Sequence, residues 1–143
     1  GILKRVTVAD ALANGTTRQF IMVKESETLR DLLDKFASTK QACFPVVNDE
    51  QNLIGMVDGR DLRRTIREAG YIDQLIIAKE LAVNPPKVTP LEDLYSAVHK
   101  MVVSQYDELV VVDENDAQKV VGLLSRTDLV AAYDRQFLAA AGP

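Results

Sequence analysis

Gly122-Leu123-Leu124-Ser125-Arg126-Thr127-Asp128 reads as an apolar strand running straight into a helix. The strand ends, a hydroxyl comes next, and an acid sits where the first helical turn would lie. Gly55-Met56-Val57-Asp58-Gly59-Arg60-Asp61 repeats the pattern 67 residues earlier. Working outward, Phe44-Pro45-Val46-Val47 precedes the first copy and Leu109-Val110-Val111-Val112 the second, now at an offset of 65. Leu29 aligns with Leu94 and Phe36 with Met101 at that same offset. The two-residue change falls in the polar loop between the two offsets. A repeat of this length is a whole supersecondary unit, and two such units are expected to pack about a pseudo-twofold axis. A ligand site in such a pair is expected in the cleft between the copies.

Composition narrows the function classes. The 143 residues, 47% hydrophobic and 27% charged, suit one folded domain or two small units with a shared core. A net charge of -4 argues against a nucleic-acid partner, which needs a basic surface. No apolar run reaches the roughly 20 residues that span a bilayer. Cys43 is alone, so it forms no internal disulfide and a reducing compartment is expected. The chain begins at Gly1 without methionine and reads as a piece of a longer protein.

Periodicity sets out the elements. Val6-Thr7-Val8 leads into a short helix over 10–15, and Phe20 to Val23 is a short strand. Ser26 is positioned to cap a helix whose Leu29, Leu32, Leu33 and Phe36 form one buried stripe. Phe44 to Val47 and Leu53 to Val57 form a hairpin, and a helix from Asp61 stops at Gly70. The second copy repeats this order. It has a brief strand at Val88-Thr89, Pro90 near a helix start, and a stripe of Leu94, Val98, Met101 and Val102. Its hairpin runs from Leu109 to Leu124, and a last helix extends from Asp128 towards Ala141. The expected fold is α+β, an α/β sandwich of two β-α-β-β-α repeats. Its parts are a leading segment over 1–19, a first motif over 20–70, an ordered connector over 71–86 and a second motif over 87–143.

The strand-to-helix junction at Ser125 to Asp128 carries two readings. A carboxylate there accepts both hydroxyls of a ribose, while the Ser125 hydroxyl and the helix N–H groups suit a phosphate. Alternatively, Ser125 simply caps the helix and Asp128 completes a capping box.

The duplicated hydrophobic-Pro-Val-Val, polar turn, Gly-x-x-Ser/Thr-x-x-Asp pattern resembles a tandem cystathionine-β-synthase (CBS) domain pair, over about Val6 to Tyr133. That resemblance implies a non-catalytic regulatory module binding an adenine nucleotide, ATP, ADP or AMP, with no metal. Carried over, the first nucleotide cleft combines Val23, Gln41, Ala42, Phe44 and Pro45 with Ser125, Thr127 and Asp128. Val23 and Phe44-Pro45 would pack on adenine, Asp128 would hold ribose, and Ser125 would face phosphate, with Lys24, Lys40 and Arg126 adding positive potential. A second, weaker cleft combines Val88, Tyr106, Leu109 and Val110 with Asp58, Arg60 and Asp61. Tyr106 could stack on a base there. The chain departs from the pattern at Asp58, which stands where a hydroxyl is expected, and at Val110, which is the counterpart of Pro45. Glu108 adds further negative charge. A carboxylate beside a phosphate is repulsive unless Arg60 or a metal ion offsets it.

Asp61 to Ile66 with Leu75-Ile76-Ile77-Ala78, Leu123 to Tyr133, and Val6 to Leu12 are similar to the cytoplasmic CBS pairs of CLC-type chloride channels and transporters. That likeness implies a location on the cytoplasmic face of a membrane. It also implies the parent's own transmembrane domain as a partner, and a homodimer through the CBS pairs. The departures at Asp58 and Glu108 favour a rival, a ligand-free structural dimer. Another rival is a nucleotide sensor on a soluble enzyme or another transporter.

Other residues read plainly. His99 has no second histidine or cysteine at ligand spacing, and Cys43 has no neighbouring base to activate it. Asp113 to Asp116 lacks the glycine and distal glutamate of a calcium loop. The pairs Asp31/Asp34 and Glu92/Asp93 read as exposed acids on helix faces.

Overall fold

The computed structural model describes residues 1–14 and 19–141. Among these, six strands and six α-helices fall into two compact units, each with a three-stranded sheet. The sheets are assembled alike. In one, β1 (Val23–Lys24) runs parallel to β2 (Cys43–Val47), which pairs antiparallel with β3 (Leu53–Asp58). In the other, β4 (Lys87–Val88), β5 (Glu108–Val112) and β6 (Val120–Ser125) repeat that order. Each parallel pair is joined through a helix, α2 (Leu29–Ala37) or α5 (Leu94–Ser104), because parallel strands need a crossover. Even the register irregularity recurs, at Val46/Val47 and at Val111/Val112.

The change of offset is located in the hairpin loops. Asn48 N–H donates to Asn52 O at 2.9 Å, and Asp113 N–H to Lys119 O at 2.9 Å, so two more residues lie within the second loop. Both loops are closed by side chains. Asn48 Oδ1 accepts from the Glu50 and Asn52 N–H groups, and Asp113 and Asp116 accept from Asn115 and Gln118. The acidic run is thus a folded turn, with Asp113 and Asp116 bonded to its own backbone and Glu114 accepting from Leu91 N–H.

The units do not follow chain order. One contains 1–19 with 86–143, and the other 20–85. The leading helix α1 (Val8–Asn14) packs in the unit of the second repeat. The connector helix α4 (Ala78–Leu81), which precedes the second repeat, packs in the unit of the first. The two segments make the same bonds. Leu94 N–H donates to Val6 O at 2.9 Å, as Leu29 N–H does to Ile76 O at 2.8 Å. Val8 N–H donates to Glu92 O, and Ala78 N–H to Glu27 O. The leading segment and the connector are therefore one more repeated element, exchanged between units.

That exchange explains the repeated glycines. A Cβ on Gly55 would meet Ala82 Cβ at 2.7 Å, and one on Gly122 would meet Leu12 Cδ1 at 3.1 Å. Each glycine lets the incoming segment lie directly on its strand.

Two cores result. Val23, Leu29, Leu32, Phe44, Val46, Val57, Leu62 and Ala78 form one. Val6, Val8, Ala11, Val88, Leu94, Ala97, Met101, Leu109, Val111, Leu124, Leu129 and Ala132 form the other. Each large side chain wholly buried in this way contributes roughly 1.5–3 kcal/mol.

Several expectations change. Thr28 caps α2, with Asp31 completing a capping box, while Ser26 lies exposed before it. Strand β1 starts at Val23, three residues later than expected. Helix α5 starts at Leu94 with Asp93 as its cap, so Pro90 lies upstream of it. Val102 is exposed and Ala97 takes its place in the stripe, since Leu94, Ala97 and Met101 share one face. The predicted glycine stop of α1 at Gly15 lies outside the described residues. Helix α3 (Gly59–Ala69) ends at Gly70, whose φ of 59° suits glycine.

Candidate functional site: two strand-to-helix junctions

The repeat places β3 before α3 and β6 before α6 (Arg126–Ala140), so each unit presents one strand-to-helix junction. At the second junction Ser125 is the cap. Its Oγ accepts from Asp128 N–H at 3.0 Å, and Asp128 Oδ2 accepts from Ser125 N–H at 2.9 Å. The capping-box reading is therefore correct for this pair. The same device starts α1, between Thr7 and Asp10, and α2, between Thr28 and Asp31. A box alone does not mark a ligand site in this chain.

Its remaining valences decide what the Ser125 junction can do chemically. The box uses one Asp128 oxygen and leaves Oδ1 outside it, with lone pairs for two donors. Arg126 N–H is committed to Asp107 O at 3.0 Å and Asp128 N–H to Ser125. Of the first three helical N–H groups, that of Thr127 is left to face an anion. Arg126 also pairs with Asp107 at 2.9 Å, which offsets the positive charge expected of it.

The first junction is built differently. Asp58 caps α3 by accepting from Arg60 N–H at 2.8 Å, and Arg60 Nε lies 3.2 Å from the same oxygen. Asp58 is only 4% exposed. Asp61 turns to Arg64 instead of closing a box with Asp58. Arg60 thus supplies the counter-charge that the sequence required of it. Gly59 stands at the position of Arg126, because a Cβ there would meet Phe36 at 3.2 Å and Ala42 O at 3.3 Å.

The other candidate residues divide sharply. Ala42 and Pro45 lie on or beside β2, and Ala42 O accepts from Gly59 N–H at 2.9 Å. Gln41 is not a ligand-facing amide. Its Oε1 accepts from Ile21 N–H at 2.6 Å, and its Nε2 donates to Ile21 O at 3.0 Å and Cys43 O at 3.1 Å. All this bonding fixes the chain entering β1. The side chains of Val23 and Phe44 belong to the core, Phe44 being 0% exposed with its ring centroid 4.0 Å from that of Phe36. Wholly inside their own core, these two side chains present no surface to a base. Val88 and Leu109 are likewise core residues of the second unit. Val110 is buried with its N–H donating to Pro86 O at 3.2 Å, and Tyr106 is half-buried with its N–H bonded to Ser104 Oγ. Thr127 is exposed.

Glu92, expected to be a plain exposed acid, is instead the centre of a clamp that occurs in both copies. It accepts from Thr89 N–H, Ser96 Oγ and Lys100 Nζ, and Lys100 also donates to Lys87 O at 2.7 Å. Glu27 does the same with Lys24 N–H and Lys35 Nζ. Burial alone would raise the pKa of Glu92, but the bonds from Lys100, Ser96 and Thr89 and the Lys100 charge outweigh it and hold the carboxyl below its ordinary 4.5. The common spacing of Glu27/Lys35 and Glu92/Lys100, eight residues in each copy, was the available signal.

Among the described residues no three His, Cys, Asp or Glu side chains cluster as a metal site, and no helix is long and apolar enough to cross a membrane. Comparison with known proteins adds the family. The CBS domain matches residues 8–68 and 78–135, so each match begins at an exchanged helix, α1 or α4. The chain belongs to the CBS-domain family.

As a CBS pair it is 27% identical over 131 residues to inosine-5'-monophosphate dehydrogenase of Haemophilus influenzae, across 92% of this chain and 26% of that protein. The chain thus spans about a quarter of that relative's length. The crystal structure of CBSX2 in complex with AMP superposes with a TM-score of 0.74 at 24% identity, covering 93% of this chain and 99% of the other. The CBS domain of the bacterial CNNM/CorC family Mg2+ transporter gives 0.72 at 17% identity, covering 91% and 76%. These two likenesses are of fold.

Proposed function

We propose that this CBS pair is a non-catalytic regulatory module that binds an adenine nucleotide through the Ser125–Asp128 junction. The observation that supports it most is the half-used carboxylate. Asp128 Oδ1 stands outside the capping box at the start of a 15-residue helix, with the Thr127 N–H beside it. A ribose diol offers the two donors that such an oxygen accepts, and the N-terminal end of a helix favours the phosphate. CBSX2, of the same fold, was crystallised with AMP. The Asp58 junction, with its buried carboxylate bonded to Arg60, is the poorer phosphate site.

Regulation arises from differential binding. A nucleotide that favours one arrangement of the parent shifts its equilibrium by that preference. The parent we favour is a CLC-type chloride channel or transporter with this pair on its cytoplasmic face, on the three segments of likeness around Asp61 to Ala78, Leu123 to Tyr133 and Val6 to Leu12. The relatives leave room for others, since related pairs belong to a dehydrogenase and to a Mg2+ transporter. Calorimetric titration with AMP, ADP and ATP tests the ligand. Saturable binding lost in Asp128→Ala is expected, and no binding at millimolar nucleotide would end the proposal.

A second reading, a bracing homodimer, has its own observation. Val98, Met101, Val102, Arg126, Leu129 and Val130 line a groove of about 250 Å³ between α5 and α6, and Val103, Phe137 and Leu138 on the same two helices are exposed. Sedimentation of the ligand-free chain tests it: a dimer converted to monomer by Val130→Glu supports bracing, and a monomer at high concentration refutes it.

A further inference from the structure

Helix α3 carries a feature with no counterpart in the second repeat. It holds four arginines against two carboxylates, whereas α6 holds two of each. At 3.6 residues per turn, Arg60, Arg63, Arg64 and Arg67 fall within one arc of about 100°. Their side chains are exposed, Arg60 by 54% and Arg64 by 64%. Asp58 and Asp61 partner Arg60 and Arg64. Among the described residues no carboxylate partners Arg63 or Arg67, which lie one turn apart on the same face.

The segment after the helix is equally unusual. Beyond the Gly70 cap, a short 3-10 turn and its continuation expose Tyr71 by 96%, Ile72 by 43% and Leu75 by 76%. The turn packs on the end of α3 and is anchored by Asp73, which is buried and bonded to Arg30 at 2.9 Å. The exposed aromatic and aliphatic groups thus follow directly on the end of the arginine-bearing helix, in a segment tied down at Asp73.

We propose that α3 and the turn after it form a docking surface for an anionic phospholipid bilayer. Guanidinium groups on one face meet lipid phosphates and carboxylates, and a neighbouring tyrosine with two aliphatic side chains suits insertion at the headgroup level. An acidic peptide would meet the arginines equally well, and the bilayer is favoured because the headgroup level takes a tyrosine and aliphatic side chains together with the lipid phosphates. The chain's net charge of -4 works against general adsorption to an anionic surface, so the contact depends on this local arginine face. The surface is independent of the Asp128 junction.

The test is co-sedimentation of the chain with vesicles, at low salt, of phosphatidylcholine containing about one-third phosphatidylserine, beside pure phosphatidylcholine vesicles. Binding to the anionic vesicles alone is expected, falling as salt is raised. Removing both cations in Arg63→Gln/Arg67→Gln weakens it roughly 25-fold, at about fivefold per arginine. Tyr71→Ser/Leu75→Ser weakens it while leaving its salt dependence in place. All four positions are exposed, and an unchanged circular dichroism spectrum confirms that the variants fold. Equal binding to both vesicle types, binding indifferent to the arginines, or no sedimentation would overturn the proposal. So would capture by polyglutamate without vesicle binding, which would reassign the face to an acidic protein.

Discussion

The two strand-to-helix junctions begin from the same plan and reach opposite electrostatic ends. At Ser125 a neutral hydroxyl caps α6, and the carboxylate of Asp128 keeps one oxygen outside its box. At Asp58 the cap itself is charged and buried, its charge answered by Arg60, while Asp61 is engaged by Arg64. The backbone framework recurs, down to the bulge and the loop-closing bond. Duplication has preserved the bonds that hold each unit together and let the exposed chemistry diverge. One copy keeps an acid with an oxygen outside its capping box, and the other gains an arginine-rich helix.

The comparison is broken most severely at the glycines. Gly55→Ala pushes a methyl group into Ala82 Cβ and Val83 O, neither of which can swing aside, and is expected to cost about 2 kcal/mol. Gly122→Ala meets only the end of the Leu12 side chain, which rotates away, so its cost stays under about 1 kcal/mol. Thermal unfolding of the two variants measures the difference. Equal losses would show that the exchanged helices seat alike on both sheets.

Much of this was legible in residues, and the exceptions have physical causes. The hairpins, the crossover helices and the Gly70 stop follow from apolar periodicity and glycine placement. The exchange of α1 and α4 was hidden because those segments share backbone bonds more than side chains: Val6 aligns with Ile76, yet Thr7 aligns with Ile77. Gln41 looked like a ligand contact because a polar residue beside an apolar strand suits either role. Only its three bonds to Ile21 and Cys43 assign it to the fold. Phe44 and Val23 lie in the core, and all of β2 is buried, so alternation along the strand separates no ligand face from a core face. Period-2 alternation says which residues share a face, not which face meets the core.

A gentler test concerns the Glu–Lys clamp shared by the copies. Because the folded-state pKa of Glu92 lies below 4.5, its ionised form stabilises the fold above that pH. That contribution is lost as pH falls from 4.5 through the lower folded-state value. Glu92→Gln should therefore be less stable than the parent at neutral pH, by no more than about 1 kcal/mol. The gap should close in acid. Denaturant titrations at neutral pH and in acid would show it, and a gap that persists in acid would mean the bonds to Ser96 and Thr89, not the charge, carry the clamp.

The asymmetry of the junctions is tested most directly by calorimetric titration of AMP into the parent chain, Asp128→Ala and Asp61→Ala. A single saturable site that disappears with Asp128→Ala and survives Asp61→Ala is the predicted result. Binding that survives the loss of Asp128, or depends on Asp61 instead, would contradict the assignment.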